Sequence, residues 1–342
     1  MGKGAGRWTA TAIALVVAVA GLDIVIAGGG FGGLLVAGPV VASFRLSPRR
    51  TAAIAALAVA AGVIVAGVDG RLDELNEVIR LVGIAVVGGM CVLGALWQER
   101  RERAFQQVTR VAEAAQRAIL RPIPSRVGPV ALASRYLSAA EQALIGGDLY
   151  EVVATPAGAR AVVGDVRGKG LDAVQLAAAV LAAFRESAMA EGSLIDVAAA
   201  VDRAVTTTIT PEDFVTAVFV DFGRQGQVEV LNCGHHPPLH ITPAAVGLLG
   251  AEVTYPPLGL SPTFTSYTYR LARGDRLLLY TDGLVEARSS DGAFFPLEQE
   301  AAALLTRRSL ETAVAALVAC VLDHAGGHLD DDLAVVLAEI RG

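Results

Sequence analysis

The chain has 342 residues, long enough for two domains. Its formal net charge of −6, with no basic stripe interleaved with aromatics, speaks against a nucleic-acid partner. Three cysteines, Cys91, Cys233 and Cys320, are odd in number and far apart, which fits neither a disulfide framework nor a zinc site. The first predicted elements are membrane spans. Between Trp8 and Phe44 the only charged residue is Asp23, and none occurs from Thr51 to Val68 or from Leu81 to Trp97. A spanning helix needs roughly 20 apolar residues. The first block, 9–44, is long enough for two helices, and "AGGGFGG" at 27–33 supplies the break, because consecutive glycines favour a turn. Spans are therefore predicted at 10–27, 31–44, 51–68 and 79–97, the second of them short.

Charge placement orients these spans. Lys3 and Arg7 precede the first, Arg45, Arg49 and Arg50 lie between the second and third, and Arg100, Arg101 and Arg103 follow the fourth. The loop "DGRLDELNE" between the third and fourth is acidic on balance. The positive-inside bias puts both termini and the middle loop in the cytoplasm of a multi-pass protein in the cell (inner or plasma) membrane. A cleavable signal peptide is the competing reading of the first block, and the later spans hold the chain in the lipid bilayer under either. Asp23 lies near one end of its span, where it is expected to reach the interface or the short loop.

Residues 98–120 read as a helix with Phe105, Val108, Ala112, Ala115 and Ile119 at 3–4 spacing. This seam suits a homodimer and a helix packed on its own domain equally well. Pro122 and Pro124 end it. The domain reading is a transmembrane region at 1–97, a helical connector at 98–124 and a catalytic domain at 125–342.

Beyond Val130, strands are predicted at 148–155, 160–166, 214–222, 227–233, 275–281 and 333–340, and helices at 171–191, 194–209, 296–306 and 309–324. Strands and helices come in runs, not in strict alternation, which indicates an α+β fold. Four aspartates lie at predicted strand ends: Asp148 in "GGDLYE", Asp165 in "VVGDVRGKG", Asp282 in "LLLYTDGLVEA" and Asp331 in "HLDDDLAVV". Carboxylates converging without a matching His or Cys set suit hard divalent cations such as Mg²⁺ or Mn²⁺. A paired-metal site of this kind hydrolyses phosphate esters. Gly168 and Gly170 allow close approach of the backbone after Asp165, so that a carbonyl there can join the ligands. Asp330, Asp331 and Asp332 crowd before the last strand, and their repulsion favours a bound cation.

Five ordered motifs, "GGDLYE" at 146–151, "GDVRGKG" at 164–170, "NCGHHPP" at 232–238, "RGDRLLLYTDGLVEA" at 273–287 and "DDLAVVL" at 331–337, are joined by "AQRAILRPIP" at 115–124. Together they resemble the metal-dependent protein phosphatase family PPM, or protein phosphatase 2C type, in its bacterial SpoIIE/RsbU-like branch. The resemblance covers about 112–340. It implies an α-β-β-α sandwich, here preceded by an α-helical transmembrane region of about four spans. It also implies two divalent metal ions, Mn²⁺ or Mg²⁺, and an activated water that attacks phosphorus in line. By motif, Asp165 would bridge the metals with the Val166 carbonyl beside it, Asp282 and Asp331 would hold one metal, and Asp148 would order the other or its waters. Asp165 and Asp148 are thus the residues implied in catalysis. Glu151, Ala334, Cys233 and His236 depart from the branch's usual residues, and none of these changes deletes an implied ligand. His235 reads as part of a turn that shapes the domain, and Lys169 as a solvated turn lysine.

The function implied is a membrane-anchored protein serine/threonine phosphatase. In this branch the phosphoprotein substrates are typically STAS-domain anti-sigma-factor antagonists. The alternative is a non-catalytic membrane signalling scaffold that uses the phosphatase fold as a binding module. Retention of all four aspartates argues against it. A transporter is disfavoured because the spans lack paired intramembrane charges.

Overall fold

The structure, a computed structural model, describes residues 2–26, 31–138, 146–190, 192–208, 213–250, 255–260 and 263–341. Two compact units are present, Met1–Gln107 and Val108–Gly342, and their boundary falls inside the expected connector.

The first unit is helical: α1 (Gly2–Val25), a short 3-10 helix (Phe31–Val36) leading into α2 (Ala37–Arg45), α3 (Pro48–Val68) and the start of α4 (Leu75–Ile119). The expected glycine break at 27–33 lies partly outside the described residues. Helices α1, α3 and α4 are each long and apolar enough to cross a membrane. They carry large apolar side chains outward, among them Val17, Ile64, Leu93 and Trp97, as a bundle surrounded by lipid would. The second expected span is the shorter Phe31–Arg45. At ~2.0 Å per residue for its 3-10 turn and ~1.5 Å for α2 it reaches about 25 Å, against a hydrocarbon core of about 30 Å. Small residues let these helices approach. A Cβ on Gly62 would come 2.9 Å from Leu81, and one on Gly88 would come 3.0 Å from Ala55.

Asp23, expected at the interface or the short loop, reaches the end of that loop at Phe31 and not water. It is fully buried. Its Oδ1 accepts the Phe31 N–H at 2.9 Å, and its Oδ2 lies 3.5 Å from Arg80, which also pairs with Glu77. The predicted span at 79–97 and the predicted helix at 98–120 are one continuous helix, because "QERRER" holds strong helix formers and no breaker. Among the described residues, four helices are long and apolar enough to cross a membrane, and the fourth is Leu171–Ala190. That helix belongs to the core of the second unit, where Val180, Leu181 and Phe184 are buried against strands.

The second unit contains two antiparallel sheets. One is ordered β1 (Arg126–Val127), β2 (Val130–Leu137), β11 (Leu333–Ile340), β10 (Arg276–Tyr280), β7 (Leu239–Ile241) and β8 (Val246–Leu248). The other is β3 (Leu149–Ala154), β4 (Ala159–Val166), β5 (Val215–Phe222), β6 (Gln227–Cys233) and β9 (Tyr267–Arg270). Helices α5 (Leu171–Ala190) and α6 (Leu194–Thr208) cover the second sheet, and α8 (Leu297–Leu305) and α9 (Leu310–His324) cover the first. The α-β-β-α sandwich follows from the period of two along the strands. Leu277 and Leu279 of β10, with Ala334, Val336, Ala338 and Ile340 of β11, enter the core shared with the second sheet. Their neighbours Leu278, Tyr280, Leu333, Val335 and Leu337 face α8 and α9. Both faces of the strands are covered, which is why they read as continuous apolar runs.

The expected strands at 227–233 and 333–340 are observed at those bounds, and the other predicted strands and helices match within one or two residues. Strands β1, β2, β7, β8 and β9 were not predicted. The strands β7 and β8 have three residues each, too few for a readable alternation. In the connector, Ala115 and Ile119 pack against Val174 of their own unit, whereas Phe105 and Val108 are exposed. The side chain of Ala112 lies outside the described residues.

Candidate metal centre

The site forms where chain segments enter or leave β3 and β4 of one sheet and β10 and β11 of the other. Asp148 immediately precedes β3 and Asp165 is the penultimate residue of β4. Asp282 opens the single-turn helix α7 (Asp282–Val285) after β10, and Asp331 and Asp332 precede β11. Antiparallel pairing of β3 with β4 and of β10 with β11 puts the starts of β3 and β11 beside the ends of β4 and β10.

Glycine makes this convergence sterically feasible. A Cβ on Gly147 would overlap the Val166 carbonyl oxygen, and one on Gly283 would overlap the Asp332 carbonyl oxygen. The glycines of "GGD" and "TDG" therefore serve close backbone approach.

Each acid has a defined setting. Asp148 is 2% exposed, and its Oδ2 accepts the Thr281 hydroxyl at 2.7 Å. Thr281 Oγ1 also accepts the Ala334 N–H at 2.9 Å, so one hydroxyl ties β3 to the starts of α7 and β11. Burial, and then the charge of Asp165, push the Asp148 acid well above the usual carboxylate range. Burial and the charges of Asp282, Asp331 and Asp332 push Asp165 up to about 7. Burial and Asp331 also raise Asp282. The aspartates therefore share one electrostatic neighbourhood and repel one another within it.

Lys169 Nζ lies 3.1 Å from Asp331 Oδ2, both groups being partly exposed. Among the described residues, no three His, Cys, Asp or Glu side chains are grouped closely enough to form a complete metal-ligand set. The donor set nonetheless fits a divalent cation. It consists of hard carboxylate oxygens whose repulsion a cation relieves, with the Val166 carbonyl held against Gly147 as a neutral oxygen.

Sequence reasoning missed the supporting residues. Asp332 is 2% exposed and accepts hydrogen bonds from the Tyr136 hydroxyl, from Ser138 Oγ at 3.3 Å and from the Gly146 N–H at 3.1 Å. It thereby clamps the turn that carries Asp331 onto β2 and the "GGD" segment. Gln116 at the end of α4 donates to the Gly146 carbonyl at 3.1 Å. Glu151 lies away from the carboxylate cluster. Its Oε2 accepts Arg185 Nε at 2.7 Å, and Arg185 also donates to the Ile119 carbonyl at 2.9 Å. The extra methylene at this position thus serves an ion pair to α5.

His235 is buried, with Nδ1 3.0 Å from Thr216 Oγ1 and Nε2 3.1 Å from the Tyr280 carbonyl. The carbonyl requires a proton on Nε2, so Nδ1 accepts from Thr216. Burial pushes its pKa down to about 3, and the imidazole is neutral. Asn232 closes the turn through two 2.8 Å bonds to the His235 backbone. A cavity of about 350 Å³ lined by Asp165, Thr216, His235, His236, Asp282 and Glu286 opens beside the aspartates.

Residues 155–341, more than half of the chain, match the family model described as Stage II sporulation protein E (SpoIIE). Among solved structures, the RsbU and RsbW domains of Rv1364c from Mycobacterium tuberculosis are 27% identical with a TM-score of 0.54, over 63% of this chain and 61% of that one. The present chain thus spans less than two thirds of that structure's length. The SiaA-PP2C domain of Pseudomonas aeruginosa is 21% identical with a TM-score of 0.58, over 70% of this chain and 98% of that one. The PP2C phosphatase domain and regulatory-domain fragment of SpoIIE from Bacillus subtilis is 16% identical with a TM-score of 0.52, over 63% and 64%. At these lower identities the last two share the fold.

Proposed function

We propose, because the chain belongs to the SpoIIE family of PPM-type serine/threonine phosphatases, that it is a membrane-anchored, divalent-metal-dependent phosphatase acting on phosphoserine or phosphothreonine of a signalling protein. The observation that carries this reading is the convergence of Asp148, Asp165, Asp282 and Asp331, with the Asp165 acid raised to about 7 by its neighbours. These four carboxylates and the Val166 carbonyl would hold two cations, Mn²⁺ or Mg²⁺. When bound, such ions offset the charge of a phosphoryl group and acidify water.

The chain's own residues set the conditions for that chemistry. Asp165, whose charge interacts with those of Asp282, Asp331 and Asp332, would be the carboxylate that serves both ions. Thr281 fixes one oxygen of Asp148 by donating to it. Asp332, clamped by Tyr136, Ser138 and Gly146, orients the turn bearing Asp331. Neutral His235 holds Thr216 and the Tyr280 carbonyl, and so positions the wall of the cavity without transferring a proton.

The substrate class follows from the same branch of the family. A STAS-domain anti-sigma-factor antagonist in a partner-switching pathway is the phosphoprotein we assign. A structure that joins RsbU and RsbW domains supports that assignment. The apolar helices of the first unit anchor the chain in the cell membrane, and the arginines at 45–50 and 100–103 favour a cytoplasmic catalytic domain with both termini inside. The domain division we adopt remains 1–97, 98–124 and 125–342. Exposed Phe105 and Val108 offer a homodimer seam on the connector. Phe105→Glu in the full chain is expected to weaken association, because a charge at such a seam must be desolvated.

The test of the reading is hydrolysis of a phosphomonoester by the full-length protein in detergent. Turnover is expected with Mn²⁺ or Mg²⁺ and none with excess EDTA. Turnover that survives chelation would sink the metal mechanism. No turnover in any divalent metal, with phosphoprotein binding intact, would favour the scaffold reading.

A further inference from the structure

The helical unit sorts its arginines by the end on which they stand. Arg45 closes α2 with its guanidinium carbon 5.1 Å from the centre of the Trp8 ring, so the end of α2 meets the start of α1. Ser47 and Pro48 then lead directly into α3. The close approaches of Gly62 to Leu81 and of Gly88 to Ala55 set α4 antiparallel to α3. Continued along two helices of equal rise, that register brings the start of α3 level with the Trp97 region of α4. One end of the unit therefore gathers Arg7, Arg45, Arg49, Arg50, Arg100 and Arg101, all exposed. The chain's two tryptophans, Trp8 and Trp97, stand at the same end and are exposed too. The Arg101 guanidinium carbon lies 5.9 Å from the centre of the Trp97 ring, so each indole carries one arginine.

The far end is compensated. Arg71 pairs with Asp69 there, and Arg80 pairs with Glu77 and lies 3.5 Å from Asp23. Among the described residues, none of the six arginines above has such a carboxylate partner. The acids nearest to Arg100 and Arg101 in sequence, Glu99 and Glu102, accept from Arg103 and Gln106. Like charges gathered without a counter-charge repel one another, and an anion from outside the chain relieves that repulsion. The surface beside them fixes the kind of anion. Ile13, Val40 and Leu93, within about two turns of the arginines, are exposed apolar side chains. A free inorganic anion would satisfy the guanidiniums and leave those side chains in water. An amphiphile with an acidic head and hydrocarbon tails satisfies both. Its head sits at the level where indole rings settle, and a guanidinium fork matches two phosphate oxygens at once. A choline headgroup brings a cation of its own, which the arginines repel.

We propose that this end of the helical unit binds anionic phospholipid. The phosphate engages Arg45 beside Trp8 and Arg101 beside Trp97, and the acyl chains run along the apolar faces that hold Ile13, Val40 and Leu93. The inference rests on the membrane-anchored reading given above.

The two tryptophans make the test direct, because each stands beside the arginine in question. The full-length protein is reconstituted into vesicles of dioleoylphosphatidylcholine and dioleoylphosphatidylglycerol in varied ratio. Dibrominated chains are placed on one lipid at a time, and bromine quenches an indole that it touches. The ratio dependence of quenching gives the affinity of phosphatidylglycerol relative to phosphatidylcholine at the tryptophans. In the parent, phosphatidylglycerol should be preferred by about fivefold or more, the effect of one basic side chain at a membrane surface. Arg45→Gln combined with Arg101→Gln should lower that preference by about fivefold. Raising NaCl to about 0.5 M should weaken it in the parent, since mobile ions screen the arginines. Equal quenching by the two lipids overturns the proposal and leaves the membrane reading standing. A preference that the double variant keeps within about twofold also overturns it. Should the double variant fold poorly, the parent decides, and a preference untouched by salt sinks the proposal. If neither brominated lipid quenches the parent, the tryptophans do not face lipid, and the membrane-anchored reading itself fails.

Discussion

The molecule buries acidic side chains in two regions and treats them differently. In the helical unit, Asp23 and Glu77 share Arg80, whose guanidinium lies against Gly32 where no Cβ intervenes. That cluster carries its own counter-charge and joins α1, the 3-10 helix and α4. In the catalytic unit, burial and then neighbouring acids raise the affinity of Asp148, Asp165 and Asp282 for protons. Beside these acids Lys169 pairs with Asp331, half-exposed and at the margin of the cluster. The acids of the first cluster have a counter-charge within the chain, whereas the partly buried acids of the second repel one another, which is what the proposed cation would relieve.

The largest effect that would break this comparison is the loss of Asp165. Asp165→Asn keeps the shape and removes the central charge, so Mn²⁺-dependent turnover by the full-length protein should fall by about a thousandfold, the loss of one dominant electrostatic contribution. A variant within tenfold of the parent would mean that the carboxylate cluster is not the catalytic centre.

Next comes the compensated cluster. Arg80→Met leaves two buried carboxylates without their cation and should lower the stability of the helical unit in detergent by about 3 kcal/mol. Added Mn²⁺ should not restore it. Restoration by Mn²⁺ would mean that this cluster, too, accepts a metal, and the contrast between the regions would collapse.

Smaller losses are expected at the flanking acids. Asp282→Asn and Asp331→Asn should each reduce turnover by about 10–100-fold at limiting Mn²⁺ and regain much of it at high Mn²⁺. The contrast sharpens if both recover. Equal and irreversible loss at all three aspartates would remove the distinction drawn for Asp165.

The most gradual effect is a pH dependence, small over any one pH unit. Asp165 titrates at about 7 in the folded chain and near 3.9 when unfolded. Between those values the folded state holds a proton that the unfolded state has released. Without metal, this group's contribution therefore falls as pH rises from about 4 to about 7 and is level above that. A cation must displace that proton, so stabilisation by a fixed Mn²⁺ concentration should grow with pH up to about 7 and then level off. The change is up to about 1.4 kcal/mol per pH unit for one proton. His235, held down at about 3, acts in the opposite direction between about 3 and 6.5, since its unfolded form gains the proton there. It acts with and without metal and cancels in the difference between the two melting curves. A Mn²⁺ increment that shrinks between pH 6 and 8 would contradict the assignment.

Much of the architecture was legible before folding was considered. Strands β4, β10 and β11 announce themselves as apolar runs beside Gly or Asp, because burial on both faces leaves little polar alternation to obscure them. The helices α5, α6, α8 and α9 follow the same logic with a period of 3.6. The apolar helices of the first unit are equally plain, since long apolar runs with few charges stand out in the sequence. For Asp23 the sequence left the interface or the short loop open, and it did not show the further partner Arg80, 57 residues away.

By itself, then, the order of residues determined the local elements, their apolar faces and which aspartates stand at strand ends, all properties of neighbours within a few positions. Only the tertiary structure decided what surrounds those aspartates. Tyr136 meets Asp332 across 196 residues and Thr281 meets Asp148 across 133. Arg185 takes Glu151 away from the cluster, and Arg167 comes to line two cavities at once. These relations depend on the pairing of strands distant in the chain and on glycines that admit close backbone contact. A linear pattern carries no record of which distant partner will fill that space.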